Sequence, residues 1–328
     1  MKKVLKFIAY SNAAGAVASA ALACMYIIAC NGYLSGADKG GQAACTAEWM
    51  GYVSLMGCIL IGFLSVRPAV EHTLTSIRTQ LPATLFFMGC AITPLQVCTP
   101  RTVAVFALLA LGCNTLLNTY RDYRSMGSYF AAFVFIGLAT FIVPHLVFAV
   151  PLLLISCKAL HSLNLRAILA GVMGLLCVYW LAFGLLYVTD NMAVAANFLS
   201  QLSYYKQVDY LPSYNMADMV EDFAPVLWLL IQVLPGSIAV LKNNTMNLRS
   251  RACYYYCISV LGLLLLLGFA FPMLYATLLP LWLLLAAYIG IPLYTEANTR
   301  AKRTYVMIVL LVWMILVANP LWIRYIPS

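Results

Sequence analysis

The chain has 328 residues, of which 64% are apolar and 9% charged, and its mean hydropathy is +0.92. Soluble domains are roughly 45–50% apolar and about 25% charged, so the composition excludes a water-soluble globular fold and indicates a polytopic membrane protein. The formal net charge is +9; on so few ionisable residues, it is their placement that is informative.

A membrane-crossing helix needs about 20 apolar residues, because inside hydrocarbon only a helix or a closed barrel satisfies its own backbone. Charge-free runs of that order stand at 7–37, 49–66, 79–100, 102–120, 125–157, 167–189, 223–241, 252–295 and 304–323. Seven of them hold one span each. The run from Ser125 to Cys157 carries Pro144 and His145 near its middle and the run from Ala252 to Thr295 carries Pro272, so each of these reads as a helical hairpin. The expected architecture is an all-α integral membrane protein, a single polytopic domain over 1–328 with a bundle of about 11 transmembrane helices, within a range of about 10–12.

Lys and Arg favour the cytoplasmic ends of spans. With the N-terminus cytoplasmic, one face collects fifteen basic residues and only Glu71, Asp122 and Glu296 as acids. The other keeps Lys39, Arg101, Lys206 and Arg324 against seven acids, Asp38, Glu48, Asp190, Asp209, Asp218, Glu221 and Asp222. One missed span would invert every later loop and scramble this asymmetry, so the expected topology places the C-terminus in the periplasm. The basic face is then attracted to anionic headgroups on the cytoplasmic side. That makes the positive charge a membrane-surface feature and argues against nucleic-acid binding. Tyr120, Tyr123, Tyr254, Tyr255, Tyr256, Tyr294 and Tyr305 on one side, with Trp49, Tyr187 and Trp322 on the other, read as interfacial aromatic belts.

In chain order, the first span follows Lys2 and Lys3. Leu22, Ala23 and Cys24 echo a cleavage box, but apolar sequence continues to Ala29, longer than a signal core. An uncleaved span is expected, with Gly15, Ala16, Ser19 and Ala20 at spacings that let helices approach closely. The first outer loop holds Asp38 in a glycine-rich turn. Membrane glycosyltransferases that use polyprenyl-phosphate sugars carry a catalytic carboxylate in such a loop, which makes Asp38 a candidate, although solvation alone explains one loop acid. Cys30 and Cys45 flank the same loop and could be bridged in an oxidising compartment. Most of the eleven cysteines fall inside spans, where they act as small hydrophobes. Cys253 and Cys257 are one helical turn apart without an accompanying His or carboxylate, so no metal site and no cofactor are expected.

Tyr120-Arg121-Asp122-Tyr123-Arg124 is the densest charged patch between spans. Arg121 and Arg124 could grip a lipid phosphate with Asp122 setting their geometry, although the positive-inside preference alone predicts both arginines. The segment 190–222 is expected as a periplasmic loop opening with an amphipathic helix, since Val194, Phe198, Leu202 and Tyr205 recur at helical spacing. Asp218, Glu221 and Asp222 then stand at i, i+3, i+4, which puts their carboxylates on one helical face. Such a cluster suits a divalent ion or an acid/base pair; it equally suits the dipole at the start of the eighth span.

Within the expected spans no Asp, Glu, Lys or Arg lies at mid-depth, which counts against a buried-carboxylate proton relay. Asn12, Gln96, Asn114, Gln232 and His145 remain, each expected to bond between helices or at a helix end. Pro94, Pro144, Pro151, Pro235, Pro272, Pro280 and Pro292 mark either the broken helices of a transporter or simple kinks, and kinks are the preferred reading.

The basic loop ending at Leu81-Pro82, the Tyr120 to Arg124 patch, Gly137-Leu138-Ala139-Thr140-Phe141 before Pro144, and Leu165-Arg166 opening a span with Gly171 and Gly174 carry a resemblance. Over about residues 65–190 the chain resembles an uncharacterised family of multi-pass inner-membrane proteins of Bacteroidota. The resemblance implies the inner membrane of a diderm bacterium, with the acidic loops in the periplasm, and carries no catalytic residues with it. The expected function is that of a non-catalytic subunit or scaffold of a cell-envelope complex, with a membrane-protein partner. The alternatives are a membrane enzyme acting on a lipid-linked glycan from the periplasmic side, or a transporter or flippase of an amphiphile.

Overall fold

A computed structural model describes residues 41–72, 74, 80–92, 99–122, 124–190, 192–203, 216–242, 246–295 and 300–325, together with Val17 and Ala21. Within these, residues 41–50, 194, 197, 199, 201–203, 216–222, 272, 300–303 and 318–325 are described as backbone only. Every described element is helical. In order they are α1 Gly41–Leu64, α2 Val66–Glu71, α3 Leu81–Cys90, α4 Pro100–Leu117, α5 Met126–Ile142, α6 Ala149–Ser156, α7 Leu165–Val188, α8 Met192–Ser203, α9 Met216–Lys242, α10 Leu248–Ala270, α11 Tyr275–Thr295 and α12 Arg300–Tyr325. Short 3₁₀ turns at Pro144–Phe148, Cys157–Leu160 and Pro272–Leu274 join some of them.

Six helical segments are long and apolar enough to cross a membrane: Gly51–Glu71, Pro100–Leu117, Leu165–Val188, Phe223–Lys242, Leu248–Ala270 and Tyr275–Thr295. The chain is therefore an all-α, multi-pass membrane protein. Four more apolar segments, Leu81–Cys90, Met126–Ile142, Pro144–Leu160 and Thr304–Val317, are shorter. The first expected span, 7–37, lies outside the described residues apart from Val17 and Ala21. The run at 79–100 differs from expectation, because its described helix is only ten residues long and buried throughout. Pro82 opens that helix, and it closes where the Ala91 and Ile92 amides turn back to the Phe87 and Gly89 carbonyls.

The described helices form two compact units. The second unit contains α4 from Ala104, α5 to α8, α10 from Arg251 and the chain on to Leu281. Its centre is the 125–157 run. Val143 is extended and Pro144 lacks the amide to continue α5, so the chain breaks there and returns through residues 144–160. The return is shown at the base, where the Arg121 amide donates to the Leu160 carbonyl at 3.1 Å. The outgoing arm is about 25 Å long at 1.5 Å per residue, short of a typical hydrocarbon core; the return arm, partly in 3₁₀ turns that rise about 2.0 Å per residue, reaches about 30 Å.

Helix α7 packs against α5 through a stripe of small residues. Ala167, Gly171, Gly174 and Val178 are its buried positions, and Leu169, Met173, Trp180 and Leu185 are exposed. A Cβ at Gly174 would stand 2.5 Å from the Phe130 carbonyl oxygen, and one at Gly171 2.9 Å from the Phe133 ring. Further along, Gly137 faces Val178, and the Thr140 hydroxyl is 2.8 Å from that of Tyr179. The level of Phe130 and Phe133 with Gly171 and Gly174 precedes that of Gly137 and Thr140 with Val178 and Tyr179 on both helices, so α5 and α7 are parallel and begin at the same end. Phe198 of α8 stacks on Phe141 at 5.8 Å and meets Tyr179 and Phe183 edge-on. The segment expected as an amphipathic helix is thus helical over Met192–Ser203 and seats Phe198 on α5 and α7.

The first unit contains α1, α2, α3, α9, α12 and α11 from Trp282. A helix apolar on all sides is one surrounded by protein, and α11 is buried at every position from Thr277 to Tyr294. Gly236 of α9 lets that helix touch the α11 backbone, since a Cβ there would lie 2.5 Å from the Ile289 carbonyl oxygen. Gly89 of α3 makes room for Trp228 and Leu283. The Phe86 and Phe87 rings occupy the space beside Gly62, and Phe87 meets Phe63 edge-on at 5.2 Å.

Three residues expected in an aromatic belt are core instead. Tyr254, Tyr256 and Tyr294 are buried, because the helices carrying them are enclosed at those positions by neighbouring helices. Tyr187 is exposed and Tyr255 is at the margin of exposure.

Candidate functional site

In the first unit, polar side chains converge on backbone carbonyls that the helices leave free or only weakly bonded. Pro235 has no amide to give the Ile231 carbonyl one turn earlier, and the Tyr305 hydroxyl of α12 donates to that oxygen. At the end of α3 the Ile92 amide turns to Gly89, and Trp313 Nε1 donates to the Met88 carbonyl at 2.7 Å. Near the α1–α2 junction the Ala69 amide reaches the Ser65 carbonyl only at 3.5 Å, and the Tyr288 hydroxyl donates to it at 2.9 Å. Gln232 and Tyr294 pair across α9 and α11, with Gln232 Nε2 donating to the hydroxyl at 2.8 Å and Oε1 accepting from it at 3.1 Å. Gly290 leaves space for that amide; a Cβ there would stand 2.7 Å from Oε1. Gln232 therefore makes the interhelical bond expected of it.

In the second unit the polar groups collect at the hairpin base. Ser162 is fully buried, 2.8 Å from the Tyr129 hydroxyl and 3.0 Å from the Thr119 hydroxyl. Thr119 in turn donates to the Leu116 carbonyl at 2.7 Å. One proton arrangement satisfies the whole chain: Tyr129 donates to Ser162, Ser162 to Thr119, and Thr119 to Leu116. Ser162→Ala is expected to cost about 1 kcal/mol and to speed amide hydrogen exchange at Arg121. Unchanged exchange would show that the two loops are held together by something else.

That network brings residues 119–125 beside residues 157–166. Arg121, Arg124, Lys158, His161 and Arg166 are all exposed there. The Arg121 guanidinium sits 5.6 Å from the Tyr120 ring centre. Asp122 does not orient a guanidinium as the sequence suggested; its Oδ1 accepts the Arg124 backbone amide at 2.9 Å. Sequence spacing identified Arg121 and Arg124, whereas Lys158, His161 and Arg166 join them only through the hairpin.

The remaining candidates are placed as follows. Asp38 and Cys30 lie outside the described residues, and Cys45 is placed only as backbone within α1. Asp218, Glu221 and Asp222 fall in the first two turns of α9, with their side chains outside the description. His145 lies by the hairpin tip, its ring 6.4 Å from Phe271, which stacks on Phe148 at 4.9 Å. Among the described residues no group of three or more His, Cys, Asp or Glu is arranged to hold a metal ion. Cys58, Cys90, Cys113, Cys157, Cys253 and Cys257 are buried and in no disulfide. In mild detergent these six are expected to resist maleimide and to react only after denaturation, as read by peptide mass mapping; rapid native labelling of Cys113 or Cys257 would contradict the packing.

The fold and its polar sites define an all-α multi-pass membrane protein. No protein-family model, curated protein or solved structure matches the chain.

Proposed function

We propose that the chain is a non-catalytic subunit or scaffold of a cell-envelope complex in the bacterial inner membrane, with its N-terminus in the cytoplasm, its C-terminus and acidic loops in the periplasm, and a membrane-protein partner. The observation that supports this reading is the destination of the interior donors in the first unit. A transporter built on broken helices leaves freed carbonyls to coordinate its substrate; here the carbonyl freed by Pro235 is taken by Tyr305, and Tyr288 and Trp313 take two more at helix ends. These three donors fasten helix to helix. The positive-inside asymmetry and the family resemblance support the orientation and the membrane.

The test is a tagged pull-down from gently solubilised native membranes, with protein identification and lipid extraction on one eluate. A stoichiometric protein partner is the expected result. A co-purifying polyprenyl-linked sugar without a partner, with activity lost in Asp38→Ala or Asp218→Ala, would replace the proposal with an enzyme. Substrate movement in proteoliposomes of the purified chain would replace it with a transporter.

A further inference from the structure

The end of the second unit where the loop after α4 meets residues 157–166 carries four exposed cations, Arg121, Arg124, Lys158 and Arg166, against one acid, Asp122. The N-terminus of a helix is the positive end of its dipole and favours anions. Helices α5 and α7 both begin here, side by side, and neither has an acidic residue in its first turn. Arg166 instead occupies the first turn of α7, with Arg121, Arg124 and Lys158 in the joined loops. Asp122, the acid of these loops, accepts the Arg124 amide at 2.9 Å, and its one negative charge stands against the four cations. Asn164 caps α7, its Oδ1 accepting the Ala167 amide at 2.7 Å; Ser125 does not cap α5, because its hydroxyl donates to the Asp122 carbonyl at 2.7 Å.

Arg121, His161 and, beyond the far end of α7, Asp190 have φ of 55°, 52° and 55°, a left-handed conformation uncommon for residues with a side chain but frequent where a helix ends; the first two lie at this base. They are linked by the bond from the Arg121 amide to Leu160. Next to the cations the surface is apolar, with Met126, Phe130, Leu165 and Leu169 exposed. Cations beside an open apolar band suit an amphiphile better than a soluble ion.

We infer that this hairpin base is a clamp for the phosphate of an anionic phospholipid, gripped by Arg121, Arg124, Lys158 and Arg166, with its acyl chains along Met126, Phe130, Leu165 and Leu169. Arginine forks match phosphate oxygens in pairs, and a bound anion offsets the repulsion between the cations and the two helix ends. The inference goes beyond the subunit reading and stands whether or not a protein partner exists.

The test uses the full chain in maltoside detergent, with native mass spectrometry after adding phosphatidylglycerol, phosphatidylcholine or inorganic phosphate. The expected result is retention of phosphatidylglycerol over phosphatidylcholine, reduced roughly tenfold or more in Arg121→Gln/Lys158→Gln. Arg67→Gln, which removes an exposed cation of the first unit, is expected to change retention little. Should the double variant fail to fold, Lys158→Gln alone replaces an exposed side chain and is expected to lower retention about fivefold. Equal retention of the two lipids, or an equal loss in Arg67→Gln, would overturn the clamp in favour of bulk charge. Displacement of phosphatidylglycerol by inorganic phosphate at matching concentration would overturn the lipid assignment in favour of a soluble phosphate site.

Discussion

Gly236→Ala and Gly174→Ala are each expected to destabilise the chain in mild detergent by about 2–3 kcal/mol, as small-to-large changes do in a packed interior. Gly184→Ala is expected to leave stability unchanged or slightly raised. At Gly236 the added Cβ would meet the Ile289 carbonyl oxygen at 2.5 Å and its carbon at 3.0 Å; at Gly174 it would meet the Phe130 oxygen at 2.5 Å and its carbon at 3.2 Å. Both obstacles are backbone, so neither can swing aside as a side-chain tip does, and two helices must separate. Between helices in lipid the hydrophobic effect gives little net attraction, so close packing carries the association, and separation forfeits contacts along the whole seam. Gly184 is exposed on the same helix as Gly174 and has nothing within 4 Å. There Ala gains about 1 kcal/mol of helix propensity over Gly. Thermal unfolding of the three variants decides the matter, and equal midpoints would show that neither close approach bears weight.

Tyr305→Phe is expected to cost about 1–2 kcal/mol, the penalty of leaving a buried acceptor unpaired, but to cost almost nothing when Pro235 is replaced as well. Pro235 denies the Ile231 carbonyl its intrahelical partner, and the Tyr305 hydroxyl supplies one from the neighbouring helix. Pro235→Ala returns an amide at the right position, so the carbonyl no longer needs the phenol. The measurement is a double-mutant cycle over Pro235→Ala and Tyr305→Phe, read by chemical unfolding in mixed micelles. A coupling of about 1 kcal/mol or more between the two sites is the expected result. Additive effects would mean that the phenol and the freed carbonyl do not depend on each other, and would remove the main support for the subunit reading.

Composition and charge-free runs were sufficient to place most of the helices. The runs at 102–120, 167–189 and 223–241 coincide closely with α4, α7 and the apolar part of α9, and the prolines inside the two longest runs mark the breaks before α6 and α11. A span must be long and apolar whatever surrounds it, so its signal is local and survives in the sequence. Length was less legible. Leu81–Cys90 sits in an apolar run as long as any single span, yet its helix stops after ten residues, because an apolar run records what the segment avoids rather than where its helix ends. The aromatic belt misled for a related reason: a tyrosine at a water boundary and one that bonds a buried partner look alike in sequence, and Tyr294 is distinguished only by Gln232 across the interface.

The candidate site divides in the same way. Arg121 and Arg124 are adjacent in sequence and readable there; Lys158 and Arg166 lie some forty residues on and reach the same place only because Pro144 turns the chain back and Ser162 ties its end to Tyr129 and Thr119. The sequence by itself determined that this protein lives in a membrane, is helical, and carries its positive charge in particular loops, since hydropathy and charge act residue by residue. Tertiary structure decided which helix is enclosed on every face, which glycines touch backbone, which tyrosines satisfy broken helices and which cations share one end, because each of these is a distance between segments far apart in the chain.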